Sequence, residues 1–183
     1  MEIINTILIP ALDRTGNAFE AGKVFLPQLI LTAGVAQACF EVIKNHFAKT
    51  GAQSVSKGKI IVATVKGDIH DIGKNIVKVL LENYGYEVID LGKDVDYQAV
   101  VDCALEQNVH LVGLSALMTT TLVSMEKTIA LLHENHVDCK IMVGGAVLTP
   151  EYAEQIGADF YAKDAKESCD IAKKVFEEYY PQG

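Results

Sequence analysis

From residue 59 onward the sequence alternates short apolar runs with amphipathic segments of helical spacing, and this alternation limits the possible fold more than any other feature. Apolar strands separated by helices indicate a parallel sheet covered on both faces, because parallel strands need long crossover connections. The sequence therefore predicts a doubly wound α/β domain of five strands. The predicted strands are KIIVATV, YEVIDLG, VHLVGLS, CKIMVGG and ADFYA, and the predicted helices begin near Lys74, Tyr97, Leu122, Pro150 and Ala165.

The first fifty residues have a different pattern, in which apolar side chains recur at helical spacing alone. The segment RTGNAFEAGK, residues 14–23, is a predicted break between two helices, and the polar stretch KTGAQSVSKG, residues 49–58, is a predicted linker. We therefore expect a helical domain over residues 1–53 and an α/β domain over residues 54–183. Two helices cannot bury both of their faces alone, so we expect a partial helix bundle whose remaining apolar surface meets further chain or a partner.

Composition excludes several classes of partner. The chain has 16 Lys and Arg against 24 Asp and Glu, and this net charge of −8 disfavours nucleic acid. Charged residues interrupt the first 20 residues, and no apolar stretch of about 18 residues follows, so we expect neither a secretory signal nor a membrane partner. The four cysteines are scattered, as is typical of a protein in a reducing compartment. We expect a cytoplasmic protein.

The unusual residue types of the α/β half follow three of its strands. These loops are KGDIHDIGKN (residues 66–75), SALMTTT (residues 115–121) and GGAVLT (residues 144–149). Ligands of doubly wound sheets bind outside the carboxyl ends of the strands, where the strand order reverses. If the first strand is central, the three loops share one crevice.

The first loop departs from a phosphate-binding loop. Gly67 and Gly73 enclose five residues instead of four, and Asn75 stands where a Walker loop has a magnesium-binding hydroxyl. Asp68 and Asp71 would also bring negative charge next to phosphate oxygens. The glycine pattern of dinucleotide-binding folds is missing too.

Two interpretations of this loop remain open from its residues. Asp68 and His70 lie two apart, so a carboxylate could accept one ring N–H and leave the other nitrogen free for a metal. A single histidine suits a metal whose equatorial positions a macrocycle fills. The alternative is a capping loop, in which Asp68 or Asp71 caps the next helix and His70 is merely polar surface. In HENHVDC, zinc spacing over His133, His136 and Cys139 is a weaker alternative.

The motif Asp-x-His-x-x-Gly, as Asp68, His70 and Gly73, followed by SALMTTT and GGA, resembles the signature of cobalamin-binding domains. The resemblance implies a flavodoxin-like fold, cobalamin as cofactor, His70 as the lower cobalt ligand, and a nucleotide tail in a deep slot of the sheet. It also implies a catalytic relay of His70, Asp68 and Thr121, with threonine where methionine synthases have serine. The implied cofactor contacts in the α/β half are Gly67, Asp68, Ile69, His70, Asp71, Ile72, Gly73, Ser115, Leu117, Thr119, Gly144, Gly145 and Ala165.

The segment FEAGKVFLPQLI resembles the helical cap over methylcobalamin in methionine synthases and in corrinoid proteins of methanol or methylamine metabolism. This resemblance implies that Phe19 and Leu26 contact the methyl face of the corrin, with Leu29 behind them. Such an apolar lid would shield a cobalt–methyl bond from water. The same residues also suit an ordinary core at helical spacing.

The resemblance implies a methyltransferase component that carries a methyl group on cobalt. We expect first the cobalamin module of a methionine synthase, which moves a methyl group from methyltetrahydrofolate to homocysteine. The alternative is a stand-alone corrinoid shuttle of a methanol- or methylamine-type system; a mutase subunit or a B12 sensor fits less well. The expected partners are methyl-donor and methyl-acceptor domains or subunits and a reductive activation partner. The chain has no zinc-thiolate site for a thiol acceptor, so the other active sites would lie elsewhere.

Overall fold

A computed structural model of the chain describes residues 3–50 and 56–180. Its five strands are β1 (Lys59–Val65), β2 (Glu87–Val95), β3 (Leu111–Ser115), β4 (Lys140–Gly144) and β5 (Phe160–Ala162). Its helices are α1 (Ile9–Glu20), α2 (Leu26–Thr50), α3 (Ile72–Asn83), α4 (Tyr97–Gln107), α5 (Leu122–Glu134), α6 (Pro150–Gln155) and α7 (Ala165–Lys174). Two π-helical turns, Ile4–Leu8 and Val175–Tyr179, adjoin α1 and α7, and a 3-10 turn, Thr119–Thr121, precedes α5.

The strands form one parallel sheet in the order β2-β1-β3-β4-β5. The order reverses at β1, because β2 pairs on one side of it and β3 on the other. The loops after β1, β3 and β4 therefore share one edge of the sheet, as a central first strand predicts. The predicted doubly wound α/β fold is confirmed.

Alternate side chains of β1 enter different cores, which explains why five of its seven residues are apolar, in a nearly unbroken run. Ile61 and Val65 pack in the core that α4 and α5 complete, whereas Ile60 and Val62 pack in the core that contains α3 and α7. Leu12 of α1 and Leu29 of α2 belong to the second core. The N-terminal helices therefore cover the α3–α7 side of the sheet.

The predicted break over residues 14–23 is wrong in extent. Helix α1 continues through Glu20, and only residues 21–25 separate it from α2. Gly16 is inside the helix, where a Cβ atom would lie 2.9 Å from the Cδ atom of Lys166. This glycine therefore leaves room for the aliphatic part of the Lys166 side chain against α1, instead of ending the helix.

The boundary predicted between residues 53 and 54 lies outside the described residues and stays a prediction, although residues 49 and 50 of the predicted linker are helical. The helix predicted from Lys74 begins two residues earlier, at Ile72, so the last four residues of the segment 66–75 belong to α3. Strand β2 continues to Val95 through two register shifts against β1. Within residues 3–50 and 56–180, no helix is both long and apolar enough to cross a membrane.

Candidate functional site

Asp68 is the buried centre of the site at the carboxyl end of β1. Its Oδ1 atom accepts the backbone N–H of His70 at 3.0 Å and lies 2.8 Å from Nδ1 of the His70 ring. Its Oδ2 atom accepts the backbone N–H groups of Leu117 at 2.7 Å and Met118 at 3.2 Å, and it lies 2.9 Å from the Thr121 hydroxyl. One carboxylate therefore joins the loop after β1 to the loop after β3.

Burial opposes ionisation of Asp68, but the hydrogen bonds from His70, Leu117 and Thr121 outweigh it and hold the pKa of this carboxyl below its ordinary value. The Thr121 hydroxyl also lies 2.8 Å from the carbonyl oxygen of Met118. A hydroxyl has one proton, so it donates either to this carbonyl or to Asp68 at a given moment.

The His70 ring faces outward from this carboxylate. An ionised carboxylate only accepts hydrogen bonds, so the Nδ1 atom donates to it, and in the neutral ring the lone pair is on the Nε2 atom. The side chain is 46% exposed, whereas that of Asp68 is fully buried. A buried anchor thus presents one imidazole nitrogen at the surface of the crevice, in the arrangement expected of a metal-ligating histidine.

The capping alternative for this loop does not fit the contacts. Asp71 occupies the position before α3, but its side chain makes no capping hydrogen bond. The contacts of Asp68 go to His70 and to the loop after β3 instead. Ile69 and Ile72, on either side of this segment, are large and exposed. An apolar rim around an imidazole suits a flat, largely apolar ligand better than water.

A cavity of about 550 Å³, here called the slot, opens between the sheet and the α3–α7 side. This volume is within the range of roughly 300–1,000 Å³ that is usual for small-molecule sites. Among the predicted contacts, the slot is lined by Gly73, Ser115, Gly144, Gly145, Ala165, Phe19, Leu26 and Leu29. Predicted contacts from the α/β half and from the N-terminal helices therefore line the same cavity.

Glycines keep the slot walls free of side chains. A Cβ atom at Gly145 would lie 1.8 Å from the carbonyl oxygen of Ala116, and φ is +141° there, so only glycine fits. A Cβ atom at Gly144 would lie 3.1 Å from the carbonyl oxygen of Ala162. Gly113, in the middle of β3, also lines the slot, and a Cβ atom there would lie 3.3 Å from the Cε atom of Met142. A ligand can therefore approach the backbone of β3 and β4 closely.

The N-terminal helices supply an apolar wall of the slot. Phe19, Leu26 and Leu29 line the same cavity as Gly144 and Ala165. The resemblance implies that Phe19 and Leu26 contact the methyl face of a corrin, with Leu29 behind them, and this stays a prediction. In the structure all three side chains line the slot. Leu29 is buried and Leu26 partly exposed, in agreement also with an ordinary core contact.

Other predicted residues lie outside the slot lining. Leu117 contributes its backbone N–H to Asp68, and its side chain is exposed. Thr119 is exposed in the 3-10 turn before α5. Gly67 has a φ of +85°, which favours glycine, and its N–H donates to the carboxylate of Asp94.

Several residues of the site were not predicted. Lys74 lines the slot and is buried, with its Nζ atom 2.6 Å from Oδ1 of Asp90. Met118 gives its N–H to Asp68, and Asp94 holds the loop after β1. Gly113 had a signal, because a glycine in a buried strand often marks a close backbone approach. The others had none, since their roles depend on contacts between segments far apart in sequence.

The zinc alternative is disfavoured by the chemistry of its cysteine. Burial, followed by the charge of Asp159, raises the pKa of the Cys139 thiol to about 12. A zinc ligand must be a thiolate, so this thiol is a poor one near neutral pH. In the described part of the chain, no three His, Cys, Asp or Glu side chains form a group that could hold a metal ion.

The residues present fit a corrinoid cofactor. The Nε2 atom of His70 would bind the metal, the exposed Ile69 and Ile72 flank this histidine, and the slot would have room for a nucleotide tail beside glycine backbone. A ligand set of one imidazole is sufficient when the macrocycle supplies the equatorial nitrogens.

Comparisons with known proteins agree with this arrangement. A family model described as a B12 binding domain matches residues 58–170, and a second with the same description matches residues 1–44. Dimethylamine corrinoid protein 1 of Methanosarcina acetivorans is 42% identical over 176 residues, which are 95% of this chain and 82% of that protein.

Two solved structures are similar over nearly the whole chain. A cobalamin-binding protein from Desulfitobacterium hafniense DCB-2 has a TM-score of 0.77 and 30% identity, covering 94% of this chain and 89% of that one. A chain of the methanol:cobalamin methyltransferase complex MtaBC from Methanosarcina barkeri has a TM-score of 0.83 and 29% identity, covering 97% of this chain and 67% of that one. The chain belongs to the B12-binding domain family, among the corrinoid proteins of methyltransferase systems, and its cofactor is cobalamin.

Proposed function

We propose that the protein binds cobalamin with His70 as the lower cobalt ligand and carries a methyl group between two methyltransferase partners. The single observation that carries this proposal is the His70–Asp68 pair, in which a buried carboxylate fixes a half-exposed imidazole in the loop after β1. When bound, the cofactor supplies a cobalt centre that can accept and release a methyl group.

The residues around the cofactor would have separate roles. Asp68 holds the proton on Nδ1 and so keeps the Nε2 lone pair of His70 available. Thr121 and the backbone N–H groups of Leu117 and Met118 keep Asp68 ionised and in one orientation.

The slot would bind the nucleotide tail. Its glycine-lined wall, formed by Gly113, Gly144 and Gly145, allows a flat group to lie against the sheet. The other predicted cofactor contacts, including Ala165 at the start of α7, belong to this same proposal. The chain would thus hold cobalamin by one metal bond and one deep cavity.

Between the two expected systems, we favour a stand-alone corrinoid protein over the cobalamin module of a methionine synthase. The relatives that support this choice include dimethylamine corrinoid protein 1, a corrinoid protein of a methylamine system. A methylated amine or methanol would then be the donor class, with separate subunits activating donor and acceptor. A reductive activation partner belongs to the same proposal.

The N-terminal helices would act as a movable cap. Phe19 and Leu26 line the slot, which they would leave when a cofactor enters and its upper face needs cover. An apolar cap over the methyl group would exclude water during transfer between partners.

The test mixes the purified chain with cob(II)alamin, removes free cofactor, and records the absorption and EPR spectra. Superhyperfine splitting by an imidazole nitrogen is expected in the bound protein, and it should be lost in His70→Ala. Isotopic labelling of histidine with ¹⁵N would separate this signal from that of the cofactor's own base. The control is His110→Ala, whose ring binds the backbone of Asp138. Labelled wild-type protein that binds cobalamin without a histidine signal would overturn the proposal.

A second test addresses the methyl donor. The methylated protein should lose its methyl group to a thiol only when a methyltransferase subunit is added, because residues 3–50 and 56–180 contain no cluster of side chains that could hold a thiolate-activating metal. Methyl loading from dimethylamine, monomethylamine or methanol, each with its own methyltransferase, would identify the donor. Loading from methyltetrahydrofolate with a folate-binding methyltransferase domain would instead favour the methionine synthase alternative.

A further inference from the structure

Asp94, near the end of β2, holds the backbone of the His70 loop from the side opposite β3. Its Oδ1 atom accepts the N–H of Gly67 at 2.8 Å, and its own N–H donates to the carbonyl oxygen of Asp68 at 2.9 Å. The Nζ atom of Lys66 lies 3.2 Å from the same Oδ1 atom. One residue thus contacts three consecutive residues of the loop.

Asp94 makes these contacts from an unusual backbone conformation. Its φ is +53°, in the left-handed region that residues with a Cβ atom rarely adopt. Aspartate and asparagine tolerate this region better than most residues do. Strained conformations persist where the surrounding contacts fix them, and they concentrate at functional sites. Here both the side chain and the backbone N–H of Asp94 point to the same loop.

The loop needs a support on this side. The loop after β3 fixes the side chain of Asp68 through the N–H groups of Leu117 and Met118. The N–H of Asp68 donates to the carbonyl oxygen of Val65 at 3.0 Å and so holds the peptide between Gly67 and Asp68. None of these contacts holds the peptide groups on either side of it, and glycine allows wide rotation at Gly67. Asp94 holds both of those groups, through the N–H of Gly67 and the carbonyl oxygen of Asp68. The carboxylate of Asp68 is therefore fixed at its tip by one loop and at its backbone by the other.

We propose that Asp94 is a positioning residue for the cobalt ligand: by fixing the Gly67–Asp68 backbone it sets the direction in which the Asp68 carboxylate holds the His70 ring. This inference rests on the proposed function, in which His70 binds cobalt. Asp94 itself touches neither the ring nor the slot lining, so its effect passes through Asp68. The hydrogen bond from Gly67, and then the one from Lys66, hold the pKa of Asp94 below its ordinary value, so it is an anion at neutral pH.

Three substitutions at this position separate its two contributions. Asp94→Asn keeps a side-chain acceptor and the tolerance for positive φ. Asp94→Gly keeps the backbone conformation and the N–H to Asp68 but removes the acceptor for Gly67. Asp94→Ala removes the acceptor and adds strain. Asn108→Ala is the matched control for strain, because Asn108 has a φ of +49° at the end of α4, away from the site.

The first measurement is the fraction of bound cob(II)alamin that has a histidine nitrogen on cobalt, from the EPR spectrum of ¹⁵N-histidine protein. We expect at least a threefold smaller fraction in Asp94→Gly and Asp94→Ala, and a fraction like that of the unaltered protein in Asp94→Asn and Asn108→Ala. Equal fractions in all four variants would overturn the inference. If Asp94→Ala acted only through backbone strain, it would lower the thermal stability as Asn108→Ala does, and neither variant would lower the fraction with a histidine nitrogen on cobalt.

The second measurement uses the cofactor-free protein and needs no cobalt. Amide hydrogen exchange at His70 and Leu117, whose N–H groups bind Asp68, should become at least threefold faster in Asp94→Gly. Unchanged exchange at both amides would overturn the positioning role even if His70 binds cobalt. If the unaltered protein shows no histidine nitrogen on cobalt, the proposed function fails instead, and exchange alone decides whether Asp94 supports the loop.

Discussion

Leu117 and Asp68 are 49 residues apart in sequence, yet the N–H of Leu117 lies 2.7 Å from the carboxylate of Asp68. This contact exists because β1 and β3 are neighbours in a parallel sheet, so their carboxyl ends meet. The carboxylate then has a donor from each loop, and it can remain ionised without water. The orientation of His70 follows from that carboxylate.

Acid should destabilise the fold through Asp68. The pKa of this group is lower in the folded chain than the ordinary value of 3.8, so below about pH 4 the unfolded chain binds a proton that the folded chain does not. The free energy of unfolding should therefore fall as the pH decreases from 5 to 3. Urea unfolding midpoints in that range should show a shallower decline for Asp68→Asn. Asp170→Asn, at an exposed carboxylate, is the control, and parallel curves for Asp68→Asn and the unaltered protein would contradict the argument.

Replacing Thr121 should show how far its hydroxyl supports Asp68. Thr121→Val keeps the buried shape but removes a donor 2.9 Å from Oδ2, which should cost about 1–2 kcal/mol in the free energy of unfolding. Thr121→Ser keeps the hydroxyl and should lose less than half as much. Chemical denaturation at pH 7 measures both. An equal loss in the two variants would point to packing of the methyl group instead of the hydrogen bond.

A side chain at Gly113 should close the slot. Valine there would meet Met142 and Val62, which line the cavity with it. We expect Gly113→Val to weaken binding of cobalamin at least tenfold, or about 1.4 kcal/mol, while cobinamide, which has no nucleotide tail, binds almost as before. Isothermal titration calorimetry measures the affinity for each of the two ligands. Gly34→Ala, at an open glycine of α2, is the control, and equal weakening for both ligands would mean that the sheet itself is distorted.

The stability of the fold should depend on the buried ion pair of Lys74 and Asp90. Lys74 has 3% of its side chain exposed and Asp90 has 19%, so Lys74→Met leaves a mostly buried carboxylate without this partner, and we expect a loss of about 3 kcal/mol in the free energy of unfolding. The matched control is Lys140→Met in the more exposed Lys140–Asp159 pair, which should lose less than about 1 kcal/mol. Equal losses would mean that Lys78, also near Asp90, already compensates its charge.

Much of the fold could be predicted from local sequence. The bounds of β1, α4 and α5 agree with the expected segments, because apolar runs and helical periodicity are strong there. The helix over residues 14–20 was missed, since a glycine that ends helices elsewhere serves a close contact with Lys166 here. Among the predicted relay residues, Asp68, His70 and Thr121 do meet. Lys74, Asp94 and Met118 were not predictable, because their role depends on partners in other loops.

The sequence by itself determined the parallel α/β class, the order of strands and helices along the chain, and the motif with a histidine two residues after an aspartate. These are local properties, set by side-chain hydrophobicity and spacing. Only the tertiary structure decided which residues surround Asp68, that the nitrogen facing outward is Nε2, and that the N-terminal helices line the slot. Hydrogen bonds and cavities depend on distances between segments far apart in sequence, and the strand order β2-β1-β3-β4-β5 fixes those distances.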